Sequence, residues 1–150
     1  MVQSVTRYVD LPPVWTLLFM GAAAVLAQMH APYHGALAVF GAILMVVAVA
    51  IMLWAVYHLR RADTAVMPGA TPRALVRTGP YRHSRNPIYA ADVILLVGFA
   101  LFCGQPAGAL FALPLIVVLT QRFILPEERM LDERFDTLFR AWKAEIPRWI

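Results

Sequence analysis

The chain alternates between long runs without charged residues and short blocks that are rich in charge. Residues 11–59 contain no Asp, Glu, Lys or Arg, and residues 86–121 contain only Asp92. A helix needs about 20 apolar residues to cross a bilayer, so the first run has room for two crossings and the second for two shorter ones. The pattern therefore predicts an all-α membrane protein with about four transmembrane helices.

Prolines and polar residues between the runs set the expected helix bounds. Proline favours the first turn of a helix, and Asn86 before Pro87 is typical of an N-cap followed by the first helical residue. A cleavable signal peptide is a less favoured interpretation of the first helix, because Asp10 adjoins its apolar run. We expect transmembrane helices over residues 12–29, 35–57, 87–103 and 107–125.

The C-terminal part of the chain has a different pattern. Charged residues surround apolar ones that recur every three or four positions, at Leu131, Phe135, Leu138, Trp142 and Ile146. This spacing predicts an amphipathic helix over about 127–145, which would lie on the membrane or against the polar loop of residues 60–85. The whole chain, residues 1–150, has the length of a single domain.

The positive charge borders the apolar runs. Lys and Arg number 13 against 9 Asp and Glu, giving a net charge of +4. Arginines at the ends of membrane helices mark the cytoplasmic side, so we interpret this excess as orientation and lipid contact rather than nucleic-acid binding. We expect a bacterial inner-membrane protein whose termini, loop and tail are cytoplasmic, with the bilayer as its partner. Nothing in the sequence indicates an oligomeric state.

Two polar segments would meet at that cytoplasmic face. Residues 75–89 read LVRTGPYRHSRNPIY, and Glu127-Glu128 follow the fourth apolar run. Each has a simple structural interpretation: Asn86-Pro87 as a helix start, the glutamates as complements of a helix N-terminus, and the arginines as lipid anchors. Their order along the chain is more informative than either segment alone.

LVRTGPY, RNPIY and EE together resemble the isoprenylcysteine carboxyl methyltransferase and phospholipid methyltransferase superfamily. Its hallmark is R-(H/N)-P-x-Y, followed after one hairpin by two glutamates, and the resemblance covers roughly Arg60 to Trp149. It implies methyl transfer from S-adenosyl-L-methionine to a lipophilic or small nucleophile, such as a lipid amine, a thiol or a prenyl-type carboxylate. It also implies a set of cofactor-binding residues: Leu75, Val76, Tyr81, Arg85, Asn86, Pro87, Ile88, Tyr89 and Glu127.

The residue types suit such a cofactor. Arginine complements its carboxylate, glutamate its ammonium, and tyrosine rings its sulfonium. Three further residues are candidates for catalysis by orienting substrate or cofactor: Glu128, Arg122 and Asp92. Asp92 lies three positions after Tyr89 and so shares its helix face; it would orient the ammonium, hold a cationic amine, or pair with Arg122. No residues have metal-ligand spacing, so we expect no metal.

The sequence also departs from the family pattern in its tail. Asp136 replaces an expected glycine, and Phe139 and Trp142 replace two tyrosines. The main alternative function is an NADPH-dependent sterol or steroid-type reductase, since those enzymes share the R-(H/N)-P-x-Y region. A non-catalytic small membrane protein is the third interpretation.

Overall fold

The computed structural model describes residues 11–29 and 35–150, and within them the chain is helical without any strand. The α-helices are α1 Pro12–Gln28, α2 Ala36–Arg61, α3 Pro87–Phe102, α4 Ala112–Leu119 and α5 Leu125–Glu145. Shorter helical turns are the 3-10 segments Gly79–Arg82 and Pro106–Phe111 and the π-helix Thr120–Ile124. The all-α prediction is confirmed, while the expected turn at residues 30–34 lies outside the described residues.

The helices α2 and α3 pack with their backbones in close contact. A Cβ atom on Gly41 would collide with the backbone nitrogen of Phe102 and the carbonyl oxygen of Gly98. Ala48 and Ala55, further along the same helix, are fully buried. Small residues at such positions let two helices approach more closely than larger side chains would allow. This close backbone contact joins α2 to α3.

The helix α2 is longer than expected. The prediction ended it near Tyr57, where the apolar run stops, but the helix continues to Arg61. Arg60 and Arg61 lie in its last turn, where positive charge interacts favourably with the carbonyl end of a helix. The apolar run therefore marks the part of α2 that a bilayer could surround, and the helix extends beyond it.

The expected break between residues 125 and 127 is wrong. The backbone stays helical through Leu119, Ile124 and Leu125, so α4, the π-helix and α5 form one continuous run. Pro126 lacks an N–H group and its ring crowds the carbonyl four residues earlier. The π-helix immediately before Pro126 widens the turn at that point, which allows the helix to continue past the proline.

A kink does occur in α5, at Asp136. Its φ of 39° is a conformation that favours glycine. Beyond it, Phe139 is 1% exposed, whereas Leu138, which we expected on the apolar face, is 59% exposed. The other predicted apolar positions do pack inward, against a cluster that includes Ala55 and Tyr81. The tail therefore lies against the loop and the end of α2, one of the two placements the pattern allowed.

The outer surface is strongly apolar. In the part of the chain that the structure describes, two helical segments are long and apolar enough to cross a membrane, Ala36–Arg61 and Pro106–Glu145, and two shorter apolar helices have 17 and 16 residues. Large side chains such as Val46 and Leu53 on α2 are 70% and 66% exposed. Exposure of such an apolar surface to water is energetically unfavourable, whereas contact with lipid is not. The architecture is compatible with a small membrane protein.

Candidate active site

A cavity of about 310 Å³ opens between the polar loop, α2, the start of α3 and the start of α5. This volume lies within the usual range of ligand pockets, about 300–1,000 Å³. Asp92 lines it as well. The structure also brings to this cavity every residue that the resemblance implied for cofactor binding: Leu75, Val76, Tyr81, Arg85, Asn86, Pro87, Ile88, Tyr89 and Glu127.

The 3-10 turn at the end of the loop directs Tyr81 into the cavity. Gly79 begins that turn with a φ of 61°, and a Cβ atom there would collide with the imidazole ring of His58. The same ring hydrogen-bonds through Nδ1 to the Thr78 hydroxyl at 3.0 Å. Glycine is thus required both by the backbone conformation and by the close approach of α2. The result is that Tyr81 is buried, with only 7% of its surface exposed.

Asn86 occupies the N-cap position of α3, but its side chain does not cap the helix. The amide Nδ2 instead donates a hydrogen bond to the carbonyl oxygen of Arg148, at 3.1 Å. The cap expected from the sequence is therefore wrong in its side-chain interaction, although Pro87 does begin the helix. Asn86 joins the start of α3 to the C-terminal end of the chain.

Tyr89 and Glu127 form a direct pair at the cavity wall. The Tyr89 hydroxyl donates to Oε1 of Glu127 at 2.8 Å. Glu127 lies beyond the apolar stretch that ends at Leu125. Burial raises the pKa of Glu127 to about 7, and the hydrogen bond from Tyr89 acts in the opposite direction. Burial, together with the charge of Glu127, also raises the pKa of Tyr81, so this phenol remains a hydrogen-bond donor at neutral pH.

Glu128 is placed differently from its neighbour. It is buried and accepts two hydrogen bonds from Arg148, with Nε to Oε1 at 3.0 Å and Nη2 to Oε2 at 2.8 Å. Nη1 of Arg85 lies 2.8 Å from the same Oε1, in an ion pair without hydrogen-bond geometry. Glu128 is not among the residues that line the cavity. Of the two glutamates, Glu127 faces the cavity and Glu128 joins two arginines.

The Arg85 guanidinium forms an ion pair with Glu128 but is not saturated with hydrogen bonds. Its side chain is 7% exposed, and within residues 11–29 and 35–150 neither Nε nor Nη1 has a hydrogen-bond acceptor. An unpaired buried donor costs about 1–3 kcal/mol, and most such groups in folded proteins are paired. Because Arg85 lines the cavity, its guanidinium is suited to an anionic group of a ligand.

The two remaining candidates differ in their relation to the cavity. The Arg122 guanidinium, in the π-helix, is 5.3 Å from the centre of the Trp15 ring and does not line the cavity. Asp92 does line it and is buried. Of these two candidates, only Asp92 lies with the residues proposed to bind the cofactor.

Sequence reasoning missed Trp142 as a cavity residue. It is 3% exposed, lines the cavity, and its indole Nε1 has no acceptor among the residues that the structure describes. The apolar spacing of the tail already accounts for the burial of Trp142, so the residue pattern offered no reason to assign it a second role. Its place at one of the two family tyrosine positions was the available signal.

The loop contributes an apolar wall that the sequence did not predict. Thr64 closes the base of this loop, because its Oγ1 accepts hydrogen bonds from the backbone nitrogens of Arg73 and Ala74 at 2.9 and 3.2 Å. Val66, Met67 and Pro68 from the closed loop line the cavity, facing Met52 of α2. The cavity thus has a polar end, with a cation and a carboxylate, and an apolar side.

Comparison with known proteins identifies a family to which this chain is similar. A family model described as phospholipid methyltransferase matches residues 36–137, more than half of the chain. The matched segment begins at the first residue of α2, includes residues 75–89, and ends just past the kink in α5. A search among curated proteins finds no match to the chain.

Proposed function

The chain belongs to the phospholipid methyltransferase family, and we propose that it is an integral membrane enzyme that transfers a methyl group from S-adenosyl-L-methionine. The acceptor is a lipophilic or small nucleophile, and the cavity opens at the cytoplasmic face, where the arginines of the loop and tail would lie. The lipid bilayer is the partner this assignment requires.

One observation carries the proposal: a single cavity is lined by both a guanidinium and a carboxylate. Arg85 and Glu127 both line it. The methionine portion of the donor carries a carboxylate and an ammonium, which these two groups complement. Charge-assisted hydrogen bonds of this kind are about twice as strong as neutral ones, so the pair would fix the orientation of the amino-acid end.

The tyrosines and the enclosing loop supply the rest of what the reaction needs. The donor, when bound, provides an electrophilic methyl group on a positively charged sulfur. Tyr81 and Tyr89 present aromatic rings at the cavity, which stabilise a nearby cation. Loop residues between Thr64 and Ala74, together with Trp142, line the cavity and would limit the access of water to a bound donor. Alignment and exclusion of water are the main requirements of a methyl transfer, and neither needs a metal.

The apolar side of the cavity supports a lipophilic acceptor. Met52, Met67 and Met130 line it, and methionine adapts to irregular apolar ligands. Asp92 at the same cavity would favour an acceptor that carries positive charge, such as a lipid amine. A thiol or a prenyl-type carboxylate would not gain from that carboxylate, which makes the class of acceptor an experimental question.

The direct test is methyl transfer by the detergent-purified protein. Tritium-labelled methyl donor is incubated with the protein and bacterial lipid extract, and label in the organic phase is measured. We expect label with the wild type and at least about a tenfold loss with Glu127→Gln, because a buried charge partner is removed. The matched control is Glu133→Gln, since Glu133 is an exposed glutamate on the same helix. Equal incorporation by both variants would refute the assigned role of Glu127.

A further inference from the structure

The last five residues of the chain, which we call the C-terminal clasp (residues 146–150), return to the start of α3. The backbone nitrogen of Arg85 donates to the carbonyl of Pro147 at 3.0 Å, and the Arg148 carbonyl accepts bonds from Ser84 at 3.4 Å and from Asn86. Trp149 packs against the apolar cluster that contains Tyr89. The clasp thus holds both the backbone and two side chains of the segment that precedes Pro87.

The Arg148 side chain extends this hold to α5. Its two bonds to Glu128 form a bidentate pair, and the same carboxylate contacts Arg85. Glu128 and Arg85 are nearly buried, at 8% and 7% side-chain exposure, whereas Arg148 is 33% exposed. A carboxylate between two guanidiniums fixes the geometry of both, and removing one partner leaves the buried charges poorly compensated.

Arg148 itself does not line the cavity, but the residues that it holds do. Arg85 is reached through Glu128, and Asn86 through the Arg148 carbonyl. If the clasp is released, Glu128 loses the bidentate partner that orients it, and the Arg85 guanidinium is then held by a carboxylate that is free to turn. The clasp would therefore control ligand binding without touching the ligand.

We infer that Arg148 is a positioning residue for methyl-donor binding, acting through Glu128 on the orientation of Arg85. This inference rests on the proposed function. It assigns Glu128, which sequence reasoning treated as catalytic, to the same positioning network. It also makes the C-terminal clasp part of the site, although the family match ends at residue 137.

The test compares variants of two arginines, one that bonds the buried Glu128 and one that pairs with exposed carboxylates. Calorimetry measures the Kd of S-adenosylhomocysteine for the full chain in detergent, with thermal melting and donor KM and kcat measured in parallel. The variants are Arg148→Gln, Arg148→Lys and, as the matched control, Arg140→Gln. Arg140 also pairs with two carboxylates, Asp132 and Asp136, but on the exposed side of α5.

We expect Arg148→Gln to raise both Kd and donor KM by about tenfold or more, with a much smaller change in kcat. The Kd of Arg148→Lys should fall between those of the wild type and Arg148→Gln, because lysine keeps the charge but cannot form the bidentate hydrogen bonds of a guanidinium. Adding Glu128→Gln to Arg148→Gln should weaken binding little further, since both act in one network. Arg140→Gln should leave Kd unchanged.

A lower melting temperature with unchanged Kd in Arg148→Gln would overturn the inference and leave a purely structural role. If that variant does not fold, Arg148→Lys carries the comparison, and wild-type Kd and KM in it would overturn the inference equally. A wild type that binds no S-adenosylhomocysteine refutes the proposed function and this inference together. Binding that is equal in the wild type and the Arg148 variants refutes the inference alone.

Discussion

The α2–α3 contact and the cavity end of the molecule are held together by different forces. Between α2 and α3, backbones meet at Gly41 and Gly98, and shape alone decides the fit. Around the cavity, burial is combined with charge, in the pair Tyr89–Glu127 and in the network of Glu128 with Arg148 and Arg85. The comparison teaches that stability and ligand binding can be altered separately, by changing volume in one region and charge in the other.

The largest effect on stability is expected from added volume at the α2–α3 contact. Gly41→Ala places a methyl group against backbone atoms of α3, which cannot move aside as a side chain could. We expect a loss of about 2–3 kcal/mol, the upper part of the range for overpacking, seen as a lower melting temperature in detergent. Gly21→Ala is the control, because nothing lies within 4 Å of its added Cβ. That control should gain about 0.5–1 kcal/mol, and equal melting of both variants would contradict the packing account.

A smaller effect, on ligand affinity, is expected from a change of pH at the cavity. The Glu127 pKa of about 7 means that its carboxylate loses charge as pH falls through neutrality. Since the ionised form would bind the ammonium of the ligand, S-adenosylhomocysteine affinity should rise about tenfold from pH 6 to pH 8. Calorimetry over this range measures the change. Glu127→Gln should bind weakly at every pH, and a pH dependence that survives in this variant would assign the titration to another group.

The smallest effect on stability is expected at the kink in α5. Asp136 adopts a φ of 39°, which costs about 1–2 kcal/mol for a residue with a side chain. Asp136→Gly removes that cost and loses only an exposed ion pair with Arg140, worth about 0–1 kcal/mol. We expect a net gain of about 0.5–1 kcal/mol in thermal melting. Ala141→Gly, an exposed position in the same helix, should lose about 1 kcal/mol, and a loss in both variants would show that Asp136 is unstrained.

Helix positions could be predicted where a single local signal dominated. Prolines marked the starts of α1 and α3, and runs without charge marked the apolar helices. The ends of helices were harder to predict, because α2 continues past the end of its apolar run and includes the charged residues Arg60 and Arg61. Pro126 indicated a break that the π-helix avoids, and that compensation depends on backbone geometry which no residue pattern shows.

The kink at Asp136 shows how a departure from a family pattern carries structural information. The resemblance expected glycine at this position, and the structure has a positive φ there. The change in direction exposes Leu138 and buries Phe139, although the spacing of apolar residues allowed either to face inward. Periodicity alone could not choose between them.

For the site, the motif residues were predictable and their partners were not. The residues proposed for the cofactor do line one cavity, because most of them lie close together in the sequence between Leu75 and Tyr89. The different surroundings of Glu127 and Glu128 come from Tyr89, which bonds Glu127, and from Arg148 near the C-terminus, which bonds Glu128. Only the folded chain distinguishes a carboxylate at the cavity from one between arginines.

The central claim is that this cavity binds a sulfonium methyl donor, and S-adenosylhomocysteine binding by calorimetry tests it most directly. The detergent-purified wild type is titrated with S-adenosylhomocysteine and, separately, with NADPH. The account predicts saturable binding of S-adenosylhomocysteine at one site per chain and no binding of NADPH. Binding of NADPH alone would contradict it in favour of a reductase, and binding of neither would contradict the assignment of Arg85 and Glu127 to the donor.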